Sequence, residues 1–168
     1  MPAHAALSIR PLSPADFDAV LRLNDAEVQH TSPLDRAALA QLVAQAACAC
    51  VAEVDGAVAG FVLALREGAH YDSANYRWFA DRLPRFVYVD RVVVAAHCAR
   101  RGIGRQLYAQ VFDYARAMGV DSVACEYNLQ PPNPASRAFH ARMGFREAGT
   151  QWLQQGAKQV SMQVASAQ

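Results

Sequence analysis

The sequence has little net charge, no long apolar run and no low-complexity tract, and each absence excludes a class of protein. Its 168 residues carry a formal net charge of +1, which gives no reason to expect a nucleic-acid partner. Without a bilayer-spanning run or a signal-peptide pattern, we expect no membrane contact and a cytoplasmic location. Hydrophobic residues make up 53% of the chain, which argues against disorder, and the length predicts one domain over residues 1–168.

Cysteine spacing of the kind that binds metal ions is also missing. Cys48, Cys50, Cys98 and Cys125 form no Cys-x-x-Cys pair and no cluster with histidine at zinc spacing. We therefore expect no metal and interpret all four as buried free thiols. Cys48 and Cys50 would share one face of a strand. A catalytic thiol at Cys98 is the alternative, although nothing in the sequence marks a His or Asn partner for it.

The strongest pattern in the chain is a strand, a turn and a helix within residues 86–118. Residues 86–94 read FVYVDRVVV, a β-branched and aromatic run that predicts a buried central strand. After a turn at 95–98, apolar residues recur at helical spacing from Ile103 to Met118. Gly119 is placed to end that helix.

Three arginines, Arg100, Arg101 and Arg105, lie where this helix begins. A helix N-terminus carries about half a unit of positive charge, so each cation there costs a few tenths of a kcal/mol up to about 1 kcal/mol. Such an arrangement is reasonable if an anion normally binds there, and Gly102 and Gly104 would let the backbone approach it. We interpret the turn as a phosphate or diphosphate site. The alternative is a solvated arginine cluster.

Two common phosphate-binding motifs do not fit this turn. Gly102-x-Gly104 is only a fragment of the dinucleotide fingerprint, because Leu107 stands where the third glycine would be. The P-loop pattern fails because no Gly-Lys-Ser/Thr follows. A nucleotide-binding domain of another kind stays an alternative.

Turn signals and apolar periodicity predict the remaining elements. Ser13-Pro14 and Ser32-Pro33 each indicate a helix start with serine as the N-cap, and the first of these helices extends to about Val28. Asp55-Gly56 predicts a two-residue hairpin turn. The predicted strands are residues 7–10, 48–54, 57–65, 86–94, 122–127, 146–153 and 158–164, and the predicted helices start at 13, 32, 103 and 133.

The connection at residues 66–85 has no strong pattern and holds several aromatic and acidic residues. Long connections inside compact domains are usually functional or mobile, and aromatics mixed with acids suit a cationic amine. Tyr71, Tyr76 and Trp78 are therefore candidates for substrate contact. The alternative is a loop or short helix whose aromatics pack on the sheet or on a dimer partner.

Two motifs in order resemble those of the GNAT acetyltransferase superfamily, and the resemblance covers nearly the whole chain. Residues 99–104 are similar to the family's Gln/Arg-x-x-Gly-x-Gly/Ala turn, with Ala99 as a departure. Residues 133–145, NPASRAFHARMGF, resemble its Asn-x-x-Ala-x-x-Leu/Phe-Tyr-x-x-x-Gly-Phe block, with His140 in place of tyrosine. The resemblance implies an α/β (α+β) GNAT fold: a mixed, mostly antiparallel sheet of about seven strands flanked by about four helices, with a splayed central strand pair.

The resemblance also implies an acetyl-CoA-dependent N-acetyltransferase that acts on a primary amine by direct transfer in a ternary complex. The acceptor could be a small amine, an amino acid or a protein amine, and the single-domain size and the aromatic connection favour a small molecule. A non-catalytic acyl-CoA sensor is the alternative, because of the departures at Ala99 and His140. A homodimer is possible in this superfamily. The residues expected to bind acetyl-CoA are Val92, Val93, Val94, Arg100, Arg101, Gly102, Ile103, Gly104, Arg105, Asn133, Ser136 and Phe139.

The proposed reaction needs a group that holds or deprotonates the amine, since an alkyl amine with a pKa near 10 is mostly protonated at pH 7. Glu126 is a candidate because it lies near the carboxyl end of a central strand, where open sheets bind ligands. Asp90 is the second candidate, with a structural role as its alternative. We expect Asp90 not to pair simply with Arg91, because adjacent strand residues point to opposite faces.

The departing thiolate needs a proton or a hydrogen bond, which many family members supply from the tyrosine at the position of His140. Neutral imidazole could still donate one N–H to sulfur, and Tyr127 is the alternative donor. The resemblance further implies that the segment between the first two helices walls the acceptor site. The candidates for substrate contact are thus His30, Tyr71, Tyr76, Trp78 and Tyr127.

Overall fold

A computed structural model describes residues 6–168, which form seven strands and five α-helices. One helix more than expected is present because the 66–85 connection contains the short helix α3. No helix in the described part of the chain is both long and apolar enough to cross a membrane. The strands are β1 (Leu7–Pro11), β2 (Cys48–Val54), β3 (Ala57–Arg66), β4 (Val87–Val94), β5 (Ser122–Gln130), β6 (Arg146–Leu153) and β7 (Lys158–Ser166), and the helices are α1 (Phe17–Ala26), α2 (Arg36–Gln45), α3 (Ala74–Ala80), α4 (Ile103–Ala117) and α5 (Pro134–Arg142).

The strands follow the order β1-β2-β3-β4-β5-β7-β6 in one sheet. β4 and β5 are parallel, with Val87 opposite Val123 and Tyr88 opposite Ala124. The pairs β1–β2, β2–β3, β5–β7 and β6–β7 are antiparallel. These pairings confirm the mixed, mostly antiparallel sheet expected from the sequence, whereas the splay of the central strands stays a prediction.

The chain divides into two compact units. The first contains the described residues up to Leu65 together with Asp90–Val111, and the second contains Arg66–Val89 and Phe112–Gln168. β4 and α4 each run from one unit into the other. The single domain expected over residues 1–168 stays a prediction.

Helix caps in the first unit agree with the sequence at α1 and differ from it at α2. Ser13 precedes a 3₁₀ turn at Pro14–Asp16 that leads into α1 at Phe17, and the Ser13 amide donates to Asp16 Oδ2 at 2.9 Å. Ser32 was predicted to cap the next helix, and this is wrong: α2 begins at Arg36, and Asp35 accepts from the Ala38 amide at 2.8 Å. The physical reason is that the carbonyl and hydroxyl of Ser32 accept hydrogen bonds from Arg91. The first helix also ends at Ala26 instead of near Val28.

Caps in the second unit hold the two helices that carry candidate residues. The Ser73 side chain accepts from the Tyr76 amide at the start of α3. Asn133 Oδ1 accepts from the Ser136 amide at 3.2 Å, which confirms the predicted start of α5. The core of this unit is aromatic, since Phe79 and Phe86 are fully buried and Tyr88 is 1% exposed.

Candidate active site

The start of α4 forms the arginine turn, defined as residues 99–105. α4 begins at Ile103, and the Gln106 amide bonds to the Gly102 carbonyl at 3.1 Å, so the amides of 103–105 precede the first intrahelical bond. Gly102 has φ of 75° and open space where a Cβ would lie. Of the two glycines, only Gly102 uses this freedom, because Gly104 lies in the first helical turn. The backbone is thus accessible to an anion.

The arginines of the turn are exposed and lack anionic partners. Arg100, Arg101 and Arg105 are all exposed, and Arg100 has a positive φ of 63°. Among residues 6–168 no carboxylate lies within ion-pair distance of any of the three. Positive charge without a protein partner, beside unpaired amides, is the chemistry that binds a diphosphate.

The end of β4 packs closely against β3 in the same unit. A Cβ on Gly60 would lie 2.9 Å from the Val93 carbonyl oxygen and 3.3 Å from Ile103, so only glycine fits there. The Ala95 amide donates to the Ala59 carbonyl at 2.8 Å. Val93 is 3% exposed, and Val92 and Val94 are half-buried. Gly60 therefore helps to position the start of α4, a role that no sequence signal indicated.

Asp90 and Arg91 form a buried ion pair, so the expectation that they would not pair is wrong. Arg91 Nε donates to Asp90 Oδ2 at 2.6 Å, and the side chains are 4% and 5% exposed. Alternation directs the two Cβ atoms apart, but the long arginine side chain bends back far enough to reach its neighbour. A buried guanidinium needs such a counter-charge, which supports the structural alternative for Asp90.

Arg91 also fixes the segment that follows α1. Its Nη1 donates to Asn24 Oδ1 at 3.0 Å and to the Ser32 carbonyl at 3.1 Å. His30 lies two residues before Ser32 and is exposed. The buried pair thus anchors the backbone next to the predicted acceptor-wall residue.

Glu126 is the centre of the glutamate cluster, defined as Asn75, Tyr88, Glu126 and Gln151 in the second unit. The Tyr88 hydroxyl lies 2.9 Å from both carboxylate oxygens of Glu126 and donates to them. Asn75 Nδ2 donates to Glu126 Oε1 at 3.0 Å, and Gln151 Nε2 donates to Asn75 Oδ1 at 3.0 Å. Donors of this kind favour the ionised form of a carboxyl group.

His140 is buried on α5 with one ring nitrogen committed. Its Nδ1 lies 2.7 Å from the Ser136 carbonyl oxygen, which can only accept, so Nδ1 carries the proton. Burial lowers the pKa of His140, and the hydrogen bond to the Ser136 carbonyl opposes that effect. The Tyr127 ring stacks on the imidazole, with 5.6 Å between the ring centroids. The Phe139 ring meets the imidazole edge-on, with 5.4 Å between the centroids. In the neutral ring Nε2 is therefore an acceptor, and the one N–H of neutral His140 is directed at the Ser136 carbonyl.

Residues 16–145 match the family model described as the acetyltransferase (GNAT) family. The chain belongs to the GNAT acetyltransferase family. This confirms the resemblance drawn from the motifs at 99–104 and 133–145.

The chain is also similar to individual proteins of known sequence or structure. A 60-residue stretch is 43% identical to phosphinothricin N-acetyltransferase of Streptomyces coelicolor and covers 35% of this chain and 33% of that protein. Naa20 of Chaetomium thermophilum, solved with a bisubstrate analogue, has a TM-score of 0.77 at 20% identity, over 95% of this chain and 86% of that one. Salmonella typhimurium yncA, solved with its cofactor acetyl-CoA, has a TM-score of 0.72 at 21% identity, over 97% and 95%. The matched stretch thus spans about a third of the curated relative, and the solved structures confirm the fold.

Aromatic residues of the 66–85 connection in this GNAT chain are used in packing. Tyr76 is 3% exposed, donates to the Arg66 carbonyl at 2.6 Å and accepts from the Ala69 amide at 3.0 Å. Burial raises the pKa of Tyr76. Trp78 lies against Gly149, where a Cβ would be only 2.7 Å from the indole. The ring of Tyr71 packs on that of Tyr76, with 5.8 Å between the ring centroids. These contacts fit the packing alternative, and substrate contact by the three stays a prediction.

Tyr127 lines a groove of about 330 Å³ in the second unit. Gln163 Nε2 donates to the Tyr127 hydroxyl at 3.3 Å. The groove runs along α5 and the strands beside it, and its lining is Tyr127, Leu129, Arg137, Ala141, Phe145, Glu147 and Gln163.

All four cysteines of this GNAT chain are free thiols, as expected, but the expected burial is wrong for Cys50. Cys48 Sγ and Cys50 Sγ lie 3.9 Å apart on the same face of β2, and Cys50 is only half-buried. The hydrogen bond with Cys50, together with burial, raises the pKa of Cys48. Cys98 is 1% exposed, which leaves its thiol inaccessible to solvent. Within residues 6–168, no three His, Cys, Asp or Glu side chains are grouped to hold a metal ion.

Sequence reasoning missed the residues that orient Glu126. Tyr88 resembles any core aromatic in its strand, and only its pairing opposite Ala124 in β5 reveals that it lies close to Glu126. Asn75 and Gln151 are 76 residues apart in the chain and carry no local signal.

Proposed function

We propose that this protein is an acetyl-CoA-dependent N-acetyltransferase that acts on a primary amine of a small molecule by direct transfer in a ternary complex. The observation that carries the proposal is the arginine turn, where three exposed guanidinium groups without anionic partners surround the amides that begin α4. Membership of the GNAT family supports the chemistry. The local identity to an enzyme named for an N-acetyl transfer to phosphinothricin supports a small acceptor.

Acetyl-CoA is the co-substrate that suits these residues, and it supplies the acetyl group as an activated thioester. The open space at Gly102 and the amides of 103–105 would receive the diphosphate, with Arg100, Arg101 and Arg105 as counter-charges. Backbone groups of residues 92–94 would hold the pantetheine chain, and one amide there would polarise the thioester carbonyl. Asn133, Ser136 and Phe139 on the second unit are the remaining proposed contacts.

Glu126 is proposed to hold the acceptor amine and to take its proton, directly or through water. Hydrogen bonds from Tyr88 and Asn75 favour the ionised form of its carboxylate, which an ion pair with an alkylammonium requires. A base must also reach the proton that it removes, to within hydrogen-bond distance or one water. Asp90 is the less suitable base because its carboxylate compensates the buried Arg91.

His140 is proposed as the group that protonates the leaving sulfur, which it can do from Nε2 only in its imidazolium form, a form that burial disfavours. Nδ1 is bonded to the Ser136 carbonyl, so Nε2 carries a proton only when the ring is charged. The Tyr127 hydroxyl accepts from Gln163 and keeps its own proton to donate, which makes it the alternative acid. His30, Tyr71, Tyr76 and Trp78 remain proposed contacts of the acceptor.

A non-catalytic acyl-CoA-binding protein that senses or regulates through a partner is the second candidate. The observation that favours it is His140, which is protonated on Nδ1 and stands where many members of the family carry a proton-donating tyrosine. Calorimetry with acetyl-CoA, followed by thiol release in the presence of a panel of small primary amines, separates the two. Binding with turnover supports the enzyme, binding without turnover supports the sensor, and absence of binding contradicts both.

A further inference from the structure

One side-chain amide connects β6 to the carboxylate of Glu126. Asn75 lies in the first turn of α3, accepts from Gln151 Nε2 at 3.0 Å and donates to Glu126 Oε1 at 3.0 Å. Both ends of a single amide are therefore used, one as acceptor and one as donor. The arrangement is a relay from Gln151 through Asn75 to Glu126.

The direction of this relay depends on the ionisation of Glu126. An ionised carboxylate can only accept, so the Asn75 amide must present its NH₂ group to Glu126. Its carbonyl oxygen then faces Gln151, which must donate. If both amides turned over, the Asn75 oxygen would face the carboxylate, and two acceptors would repel each other unless Glu126 were protonated. The observed direction of the two amides thus matches an ionised Glu126.

Tyr88 fixes the same carboxylate from β4. Its hydroxyl lies at an equal 2.9 Å from the two oxygens, and the residue is 1% exposed, so the donor has little freedom to move. Two donors from separate elements, the Tyr88 hydroxyl and the Asn75 amide, therefore help to orient the carboxylate, and neither of these two donors is an ion.

The attachment of α3 does not depend on this relay. Phe79 is fully buried, Tyr76 uses its hydroxyl twice, and Ser73 caps the helix. Asn75 is only half-buried. A residue that contributes little to packing but determines the state of a neighbouring carboxylate fits a positioning role.

We infer that Asn75 and Gln151 are positioning residues which act in series to hold Glu126 as an oriented, ionised carboxylate for the incoming amine, with Tyr88 as the second donor. The inference rests on the proposed function for the role of Glu126 in the reaction. It adds the direction of action: Gln151 acts on Glu126 only through Asn75.

Uncharged substitutions test this order of action. The full-length chain, labelled with ¹³C at its glutamate side chains, is titrated by NMR in wild type, Asn75→Leu, Gln151→Met and the double variant. We expect the Glu126 titration midpoint to rise by about one pH unit in Asn75→Leu and by less in Gln151→Met. Because Gln151 acts through Asn75, the double variant should match Asn75→Leu alone. Gln41→Met, the same change at an exposed position of α2, is the matched control and should leave the midpoint unchanged.

Kinetics give a second readout with the same variants. The acid limb of kcat/KM against pH should move with the NMR midpoint, while the acetyl-CoA affinity stays at the wild-type value. A purely structural role would instead lower activity at every pH without moving the limb.

Two outcomes overturn the inference: an unchanged midpoint in a folded Asn75→Leu or Gln151→Met chain, or shifts that add in the double variant. If Asn75→Leu does not fold, Gln151→Met decides alone. Failure of the proposed function is distinguishable, because it appears as absence of thiol release by the wild type. The NMR midpoints do not depend on turnover.

Discussion

In the arginine turn, three exposed guanidinium groups have no carboxylate partner among residues 6–168, whereas in the glutamate cluster one carboxylate receives hydrogen bonds from Tyr88 and Asn75. Charge that the protein leaves uncompensated is available to a ligand, and charge that the protein orients is available to a reaction. The two regions thus fit two tasks, anion binding and handling of an amine. Each can be disrupted separately.

The largest effect is expected from Gly104→Glu in the arginine turn. The new carboxylate would lie among the α4 amides and repel a diphosphate, so acetyl-CoA affinity should fall about 1,000-fold or more. An acidic residue in the first helical turn is favourable for the helix, so thermal stability should not fall. Isothermal calorimetry and a melting curve measure both quantities. Unchanged affinity in a folded chain would show that the turn is not the coenzyme site.

Glu126→Gln alters the glutamate cluster and should lower the rate of acetyl transfer without weakening acetyl-CoA binding. The amide keeps the shape but loses the charge, so kcat/KM should fall about 100- to 10,000-fold, as for loss of a general base. Acetyl-CoA affinity should stay at the wild-type value. Steady-state kinetics with an identified acceptor measure kcat/KM, and calorimetry measures the acetyl-CoA affinity. Equal losses in both quantities would remove the distinction between the two regions.

The arginine turn was predictable from the sequence, while the partners of Glu126 were not. Residues 99–105 are contiguous, so the backbone pattern and the charge of the turn are visible together. Asn75 and Tyr88 reach Glu126 across 51 and 38 residues, and only the folded sheet brings them together. Glu126 itself could be proposed because a strand-end position is a local property.

The predictions that were wrong also involve residues that are distant in the chain or side chains that are long. Strand bounds such as Cys48–Val54 depend on local alternation and were predicted correctly. The pairing of Asp90 with Arg91 was wrongly excluded, because alternation describes Cβ directions and ignores the length of an arginine. Ser32 was wrongly assigned as a cap, because its hydroxyl is used by Arg91 from 59 residues away. Long side chains and distant partners are what local patterns cannot report.

Single arginine substitutions refine the comparison on a smaller scale. Arg101→Ala should weaken acetyl-CoA binding about tenfold, since one charge-assisted contact to phosphate is lost and the other two arginines remain. The loss should shrink at high ionic strength because exposed charges are screened. Arg22→Ala, an exposed arginine on α1, is the control and should not change the affinity. Equal losses for Arg22→Ala and Arg101→Ala would indicate a diffuse field in place of a local site.

The smallest expected effect concerns the folding stability near pH 6 and tests the environment of His140, in the second unit, without any ligand. Burial lowers the pKa of His140 below its ordinary value near 6.5, so the unfolded chain binds a proton before the folded chain does. The free energy of unfolding should therefore be constant above about pH 7 and fall by at most about 1 kcal/mol between pH 6.5 and 5.5, the limit set by one proton.

Carboxylates do not obscure this window. Asp16 beside Arg10 and Glu67 beside Arg66 each have a pKa lowered to about 2, so their contributions are lost as the pH falls from about 5 to about 2, which is below the window of His140. Urea unfolding at several pH values should show the fall in wild type and its absence in His140→Gln. The same substitution at exposed His97 should keep the fall. An identical pH dependence of the unfolding free energy in His140→Gln and wild type would mean that folding does not lower the pKa of His140.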